Sequence, residues 1–385
     1  MRLTKMFRGF FASEKAGGII LVLCTVVSLV LTNLFPGHVY TGVWHTHIGG
    51  RPLEFWINDG LMTIFFLLVG LELEREVYVG ELSQRKHAML PALAALGGML
   101  IPAGIHAALN NGTGTASGAG IPMATDIAFA IGILSLLGDR VPASLKVFLT
   151  ALAVIDDLGA IFTIAIFYSS GISWVDLGIA AALWGGLLVL NRLQVFRLLP
   201  YLLIGAVMWY FMLRSGVHAT ITGVLVAFAI PFGKGDERSI SYRLEHVLHK
   251  PVAFVIMPLF ALANTCILFT SDWALALLST NSLGIFFGLA LGKPIGITLF
   301  AAGAVSLGWC SLPSGVRWKD IIGVGFLGGI GFTMSIFITL LAFDHAETIV
   351  HAKTAILLSS FVAALVGALW LHYSLRPVPL PEEAD

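Results

Sequence analysis

Charge is what this sequence has least of. Of its 385 residues, 11% are Asp, Glu, Lys or Arg, against about 25% in ordinary soluble domains. Together with 57% apolar residues and a mean hydropathy of +0.91, that scarcity excludes a soluble enzyme and a disordered chain. A surplus of either sign is missing too. Lys+Arg and Asp+Glu are 22 each, so there is neither a basic surface for nucleic acid nor an acidic tail. Cysteine is nearly absent: Cys24, Cys266 and Cys310 lie in or at the ends of apolar runs without CxxC or metal-ligand spacing. That excludes a disulfide framework and a zinc site. No polar stretch could hold a second domain, so residues 1–385 read as one transmembrane domain.

What is there is apolar sequence in spanning lengths. A membrane helix needs about 20 mainly apolar residues, and runs fall at 16–35, 57–71, 88–109, 121–138, 143–168, 174–190, 199–213, 216–231, 251–269, 283–307, 321–343 and 353–375. These predict twelve spans. The first is longer than a signal-peptide core and has no small-residue cleavage site after it, so it reads as a retained helix. Alternate loops divide the 22 bases unevenly. Arg51, Arg214 and Lys353 fall on one side, Lys293 on neither, and the remaining 18 on the side shared by both termini. The positive-inside rule makes that side cytoplasmic.

An ionisable group at bilayer depth is costly and usually marks a transport path. Asp126, Asp156, Asp157 and Lys293 are such groups. Asp156 lies about 20 Å along its run from the cytoplasmic end, and Lys293 about 15 Å from the outer end of an oppositely directed run. In a core about 30 Å thick these depths nearly coincide, so a Lys and an Asp can pair near the midplane. Adjacent helical residues point about 100° apart. One of Asp156 and Asp157 therefore binds Lys293 while the other faces an ion cavity. Asp126 follows Gly120 and Pro122 in a short run, and Gly328-Gly329-Ile330-Gly331-Phe332-Thr333 interrupts the eleventh. Both read as broken helices whose freed carbonyls can ligate ions. A single Lys–Asp pair is open to a purely structural reading, but three acids against one base also need a proton or a metal cation.

Four further features carry less. Gly323-Val324-Gly325-Phe326-Leu327-Gly328 matches GxGxxG, but no strand surrounds it, so it reads as close helix packing. Val43 to Leu53 alternates around Gly49-Gly50, either as a two-residue β-hairpin or as an irregular loop. Glu72, Arg75 and Glu76 share a helix face, and Glu245, His246 and His249 end the largest cytoplasmic loop. Histidine titrates near neutrality, so these six are either a sensor of cytoplasmic pH or ordinary salt bridges at a solvated helix end. His246 and His249 with one Glu fall short of a metal site. His218 is placed at the interface, with no role.

Read together, the segments Ala124-Thr125-Asp126-Ile127-Ala128-Phe129-Ala130, Ile155-Asp156-Asp157-Leu158-Gly159-Ala160, Ser215-Gly216-Val217-His218-Ala219-Thr220, Arg243-Leu244-Glu245-His246-Val247-Leu248-His249, Gly292-Lys293-Pro294 and Gly331-Phe332-Thr333-Met334-Ser335 resemble those of the NhaA-type sodium/proton antiporters, in the same order. The resemblance implies an all-α polytopic membrane protein of twelve helices in two inverted repeats, with spans 4 and 11 broken and crossing near the midplane. Corresponding breaks in two repeats, a pattern this family itself exemplifies, mark a central binding site. It further implies a bacterial inner-membrane protein with both termini cytoplasmic, a homodimer held through the hairpin, and no nucleic acid, cofactor or enzyme activity. The implied activity is electrogenic export of Na+ or Li+ for more than one external H+, by alternating access under control of cytoplasmic pH. Carried over by position, Asp157 is the principal sodium carboxylate, with Asp126 and Thr125 at the unwound site and Asp156 paired with Lys293. Gly329 and Gly331 fall in the unwound eleventh span, and Glu72, Arg75, Glu76, Glu245, His246 and His249 in the pH-responsive funnel. Glu74 departs from the pattern, which is basic there, and puts the activating pH in question.

Two other functions stay open on the residues alone. A sodium-coupled symporter for an organic anion would show sodium-driven uptake without proton counterflow. An intramembrane aspartyl protease could use Asp126 with Asp157, but would leave Lys293 unexplained.

Overall fold

In a computed structural model, residues 14–35, 39–169, 171–233, 235–269 and 273–375 are described. Both termini, with Arg2, Lys5, Arg8 and Arg376 of the expected cytoplasmic set, lie outside them, as does Lys234. A backbone in lipid must satisfy its own polar groups, so apolar runs of this length fold as helices. Among the described residues, ten helices are long and apolar enough to cross a membrane. They are α1 (Lys15–Leu34), α2 (Leu53–Tyr78), α3 (Ala88–Asn110), α4 (Ala116–Leu136), α5 (Ala143–Phe167), α6 (Trp174–Arg192), α7 (Leu198–Ser215), α9 (Ile240–Asn264), α10 (Thr280–Ser306) and α12 (Ala346–Ser374). An eleventh, α11, is a pair, Trp318–Gly328 and Phe332–Ala342, bent by 46°. The run 216–231 holds regular helix only over Ile221–Ala227, here α8. Pro231 follows it, and Gly223 is pressed against the α2 backbone, where a Cβ would come within 2.7 Å of the Leu67 nitrogen. Against the twelve expected spans, the described residues show ten spanning helices, one bent pair and, at 216–231, a helix too short to be counted with them.

Other boundaries moved for local reasons. The expected loop 232–250 is half helix, because the Ser239 hydroxyl caps the Tyr242 amide at 3.3 Å and starts α9 eleven residues before the apolar run. Glu245, His246 and His249 therefore sit on a helix, not in a loop. Pro251 does not stop α9, whose first helix runs through it, and a π-helical turn, Val252–Ile256, precedes Pro258 and lets α9 continue past that proline. Lys353, expected outside, lies inside α12 and is 9% exposed, because that helix begins at Ala346. Between α1 and α2, His47–Ile48 pairs antiparallel with Arg51–Pro52. Gly49 and Gly50, at φ 62° and 81°, make the two-residue turn that right-twisted strands require.

The apolar residues form two clusters. The larger unites α3, α4, α5, α10, α11 and α12 with faces of α1, α2 and α9. The smaller joins Leu67 and Leu71 of α2 to Ala180, Leu187, Tyr201, Met208, Val226 and Ala227 of α6, α7 and α8. Large apolar side chains on the outer faces of α6 and α7, such as Val175 and Leu199, are exposed, as a lipid-facing surface allows. The GxGxxG run packs helices as expected: Gly323 faces Leu371 and Trp370 of α12, and Gly325 faces Pro294 of α10.

Candidate functional site

Two backbone breaks meet at the centre. In α4, the 3-10 turns Ala116–Met123 give way to three extended residues before the helix Ile127–Leu136. In α11 the break covers Gly329 to Gly331, between Gly328 and Phe332. The Asp126 amide donates to the Ile330 carbonyl at 2.6 Å, tying one break to the other. Gly329 lets the break lie close to α12, since a Cβ there would come within 3.3 Å of the Ala363 Cβ, and within 3.0 Å of the Phe326 carbonyl oxygen of its own half-helix. Ser360 of α12 accepts from the Phe332 amide at 3.2 Å, capping the second half of α11.

Asp126 is spent on these helix ends. One carboxylate oxygen accepts from the Phe129 amide at 3.0 Å. The other accepts from the Thr333 hydroxyl at 2.6 Å and the Thr333 amide at 3.2 Å. A negative group between two helix N-termini is favourable, because the exposed amides and the helix dipoles both point at it. Thr333 was not among the residues expected in the site. Its signal was present, as the first hydroxyl after the glycine break.

Asp156 and Lys293 are each 0% exposed and form a hydrogen-bonded ion pair. Thr125 completes it. Lys293 Nζ donates to Thr125 Oγ1 at 2.9 Å, and that hydroxyl lies 2.7 Å from Asp156 Oδ2 and 2.8 Å from the Gly328 carbonyl oxygen. Its single proton serves one acceptor at a time. Lys293 reaches this place from a π-helical turn, Gly288–Gly292, closed by its own amide on the Gly288 carbonyl. Pro294 explains the turn: a proline ring clashes with the carbonyl four residues back and donates no hydrogen bond.

Asp157 differs from both neighbours. It is 2% exposed, and among the described residues no hydrogen bond or ion pair reaches it; its Oδ1 is buried without a partner. Asp156 Oδ1 is likewise unpartnered. Asp156 and Asp157 thus face different surroundings, as their helical spacing requires. Among the described residues no three His, Cys, Asp or Glu side chains converge on one point, so a cation beside Asp157 would draw ligands from carbonyls, hydroxyls and water.

A cavity of about 480 Å³ opens from the end of the bundle where α2 finishes. Glu72, Arg75, Glu76, Glu245, His246 and His249 all line it, so the structure gathers the six residues of the second expected cluster. Arg75 pairs with Glu245 at 3.0 Å and lies 3.9 Å from Glu76, and the Tyr242 and His246 rings stack at 6.3 Å. Ile127 and Val154 line the same cavity; Ile127 follows Asp126, and Val154 is one helical turn before Asp157. Glu74 points elsewhere. It is 5% exposed on the face of Leu67 and Leu71, and its Oε2 has no partner. His218, at the other end, has its Nε2 2.9 Å from the Tyr168 carbonyl oxygen.

Comparisons with known proteins identify the family of the chain. The family model described as Na+/H+ antiporter 1 matches residues 8–371. The chain is 64% identical to the Na(+)/H(+) antiporter NhaA of Cytophaga hutchinsonii, over 100% of this chain and 99% of that one. It is 60% identical to Na(+)/H(+) antiporter NhaA 1 of Flavobacterium johnsoniae, over 97% and 98%, and 48% identical to the NhaA of Vibrio alginolyticus, over 97% and 98%. Such proteins are secondary transporters, not enzymes, and the ions they carry are substrates, not cofactors. With a whole-length family match and relatives this close, the chain belongs to the NhaA family of Na+/H+ antiporters.

Proposed function

We propose that this protein exports Na+ or Li+ from the cytoplasm in exchange for external H+, with both ions competing for Asp157. The observation that carries this reading is a buried, unpartnered carboxyl one helical turn from a cavity open at one end of the bundle. A bare carboxylate in such surroundings costs several kcal/mol, so it is held with a proton or with a cation. Cytoplasmic Na+ entering by the cavity displaces the proton, the site turns outward, Na+ leaves, and protons return. Thr125, the freed carbonyls of the two breaks and Asp126 complete the ion's surroundings. The Asp156–Lys293 pair supplies a second titrating unit, by releasing the lysine proton or by re-forming the ion pair. With more than one H+ per Na+, each net charge moved gains about 2.3 kcal/mol per 100 mV of membrane potential.

The cavity wall of Glu72, Arg75, Glu76, Glu245, His246 and His249 supports control by cytoplasmic pH, since it gathers histidine, the side chain whose ordinary range lies nearest neutrality, with charged partners. The bias of basic residues to one side supports cytoplasmic termini, and membership of the NhaA family supports a bacterial inner membrane. The paired strands His47–Ile48 and Arg51–Pro52 offer a homodimer contact outside. The test is fluorescence dequenching of a pH dye in everted vesicles on Na+ addition, repeated across pH. The wild-type chain moves protons on Na+ addition, and Asp157→Asn at equal expression does not. Near-normal exchange by Asp157→Asn removes Asp157 from the role, and Na+-driven uptake of an organic anion without proton movement replaces antiport by symport.

A further inference from the structure

α10 lies on α3 through glycines spaced four apart. A Cβ at Gly284 would come within 2.8 Å of Asn110 Nδ2 and His106 Cδ2; at Gly288, within 3.3 Å of the Pro102 carbonyl oxygen; at Gly292, within 3.0 Å of Pro102 Cα. Gly296 continues the line against the Gly97 backbone. Such a surface lets two helices approach closely but offers few side-chain ridges to lock into grooves. Beyond Lys293 the Ile297 and Phe300 side chains of α10 seat on Gly98 and Gly97 of α3, whereas at Gly284, Gly288 and Gly292 the close contacts come from α3 and α4.

Two polar links at the end of α10 remote from the cavity supply what the glycines lack. His106 Nε2 is 3.0 Å from Asn281 Oδ1, and Asn110 Nδ2 donates to the Thr280 carbonyl at 3.1 Å. Among the described residues these are the side-chain hydrogen bonds that join α3 to α10. Since a carboxamide oxygen only accepts, His106 donates and Nε2 carries its proton. The ring is wedged between Gly284 and Gly118 of the α4 arm, where a Cβ would lie 3.0 Å from His106 Cε1 and Nε2. No titratable residue occurs in 116–123 or 280–287, and the neighbour from the end of α11 is Phe343. His106 and Asn281 are 0% and 3% exposed, and His106 Nδ1 and Asn281 Nδ2 have no partner. A half-satisfied polar pair is a poorer filler of an apolar junction than two apolar side chains, so stability alone does not account for it.

We propose that His106 and Asn281 form a register pin that sets the height of Lys293 against Thr125 and Asp156. Lys293 lies twelve residues along α10 from Asn281, about 18 Å at the helical rise, and the pin acts on it together with the Ile297 and Phe300 contacts on its other side. His106 is a positioning residue acting through α10. Slippage of α10 loosens the Lys293–Thr125–Asp156 triad and so changes the proton affinity against which Na+ competes. The inference rests on the antiport reading.

The test is dye dequenching in everted vesicles holding the full-length chain, with Na+ and pH both varied. His106→Leu/Asn281→Leu restores apolar packing without the pin, and it is expected to shift the pH midpoint by about half a unit or more. The KM for Na+ is expected to change by about threefold or more at wild-type amounts of protein. His106→Gln, which can still donate to Asn281 Oδ1, restores the wild-type profile. A double variant with wild-type midpoint and KM overturns the pin, as does His106→Gln behaving like the double variant. Wild-type vesicles that move no protons on Na+ addition overturn the antiport reading, and the pin with it.

Discussion

The protein carries two clusters of charge, and they are built on opposite principles. Around Asp126, Asp156 and Lys293, exposures are 0–1% and nearly every contact runs to a backbone break or to a neighbour on another helix. Around Arg75 and Glu245, the arginine side chain is 40% exposed and the pair lines an open cavity. In the first, geometry replaces water; in the second, water does much of the work and geometry is loose. Charge at depth is therefore expected to be intolerant of substitution, and charge at the rim to be tunable.

The contrast is tested most strongly at Lys293. Lys293→Met leaves Asp156 buried without its cation, for an expected loss of about 3–5 kcal/mol, whereas Asp156→Leu with Lys293→Met recovers most of it. Thermal unfolding in detergent reads both, and a single variant as stable as wild type would erase the distinction. Asp126→Ala comes next. It removes caps from two half-helices at about 1 kcal/mol each and leaves the Thr333 hydroxyl buried and unpaired, so a loss of about 2–4 kcal/mol is expected by the same measurement. At the rim, Arg75→Ala or Glu245→Gln should change stability by less than about 1 kcal/mol, while moving the pH at which vesicles begin to exchange; a larger loss of stability would make the rim as rigid as the centre.

The smallest effect lies at the other end, beyond the spans. Burial pushes the His218 imidazole below its ordinary range, opposed by its bond to the Tyr168 carbonyl. As pH falls, the unfolded chain takes up the proton first, so the contribution of His218 is complete above the usual histidine range and is lost below it. Melting temperature against pH should fall less steeply on the acid side for His218→Phe than for wild type.

The centre was more legible in the sequence than the edges. Asp156 beside Asp157, with Lys293 at matching depth, followed from rise per residue alone, because regular helices convert sequence distance into depth. Asp126 was marked by glycine and proline, and Thr125 by the resemblance to the family alone. What periodicity could not reveal was which acid goes to which partner, and that Asp126 is used on Thr333 and Phe129; those depend on how two breaks from remote segments meet. Hydropathy also misplaced the start of α9, since a polar helix capped by Ser239 carries no apolar signal, and the start of α12, where His345 to His351 are polar enough to look like loop. The pairing of His106 with Asn281 was invisible, each being a lone polar residue in an apolar run.

The π-helical turn before Lys293 has a consequence for how this protein can change. Such a turn is one residue more than an α-helix of the same course requires. Losing any single residue from Gly288 to Gly292 would close the segment to ordinary helix with Lys293 still facing Asp156, whereas the same loss in a regular stretch of helix would swing the residues beyond it by about 100°. A one-codon deletion in that turn would therefore spare the charge partnership of the centre, while one in the regular helix between Asn281 and Phe287 would turn the Asn281 end of α10 out of phase with Lys293.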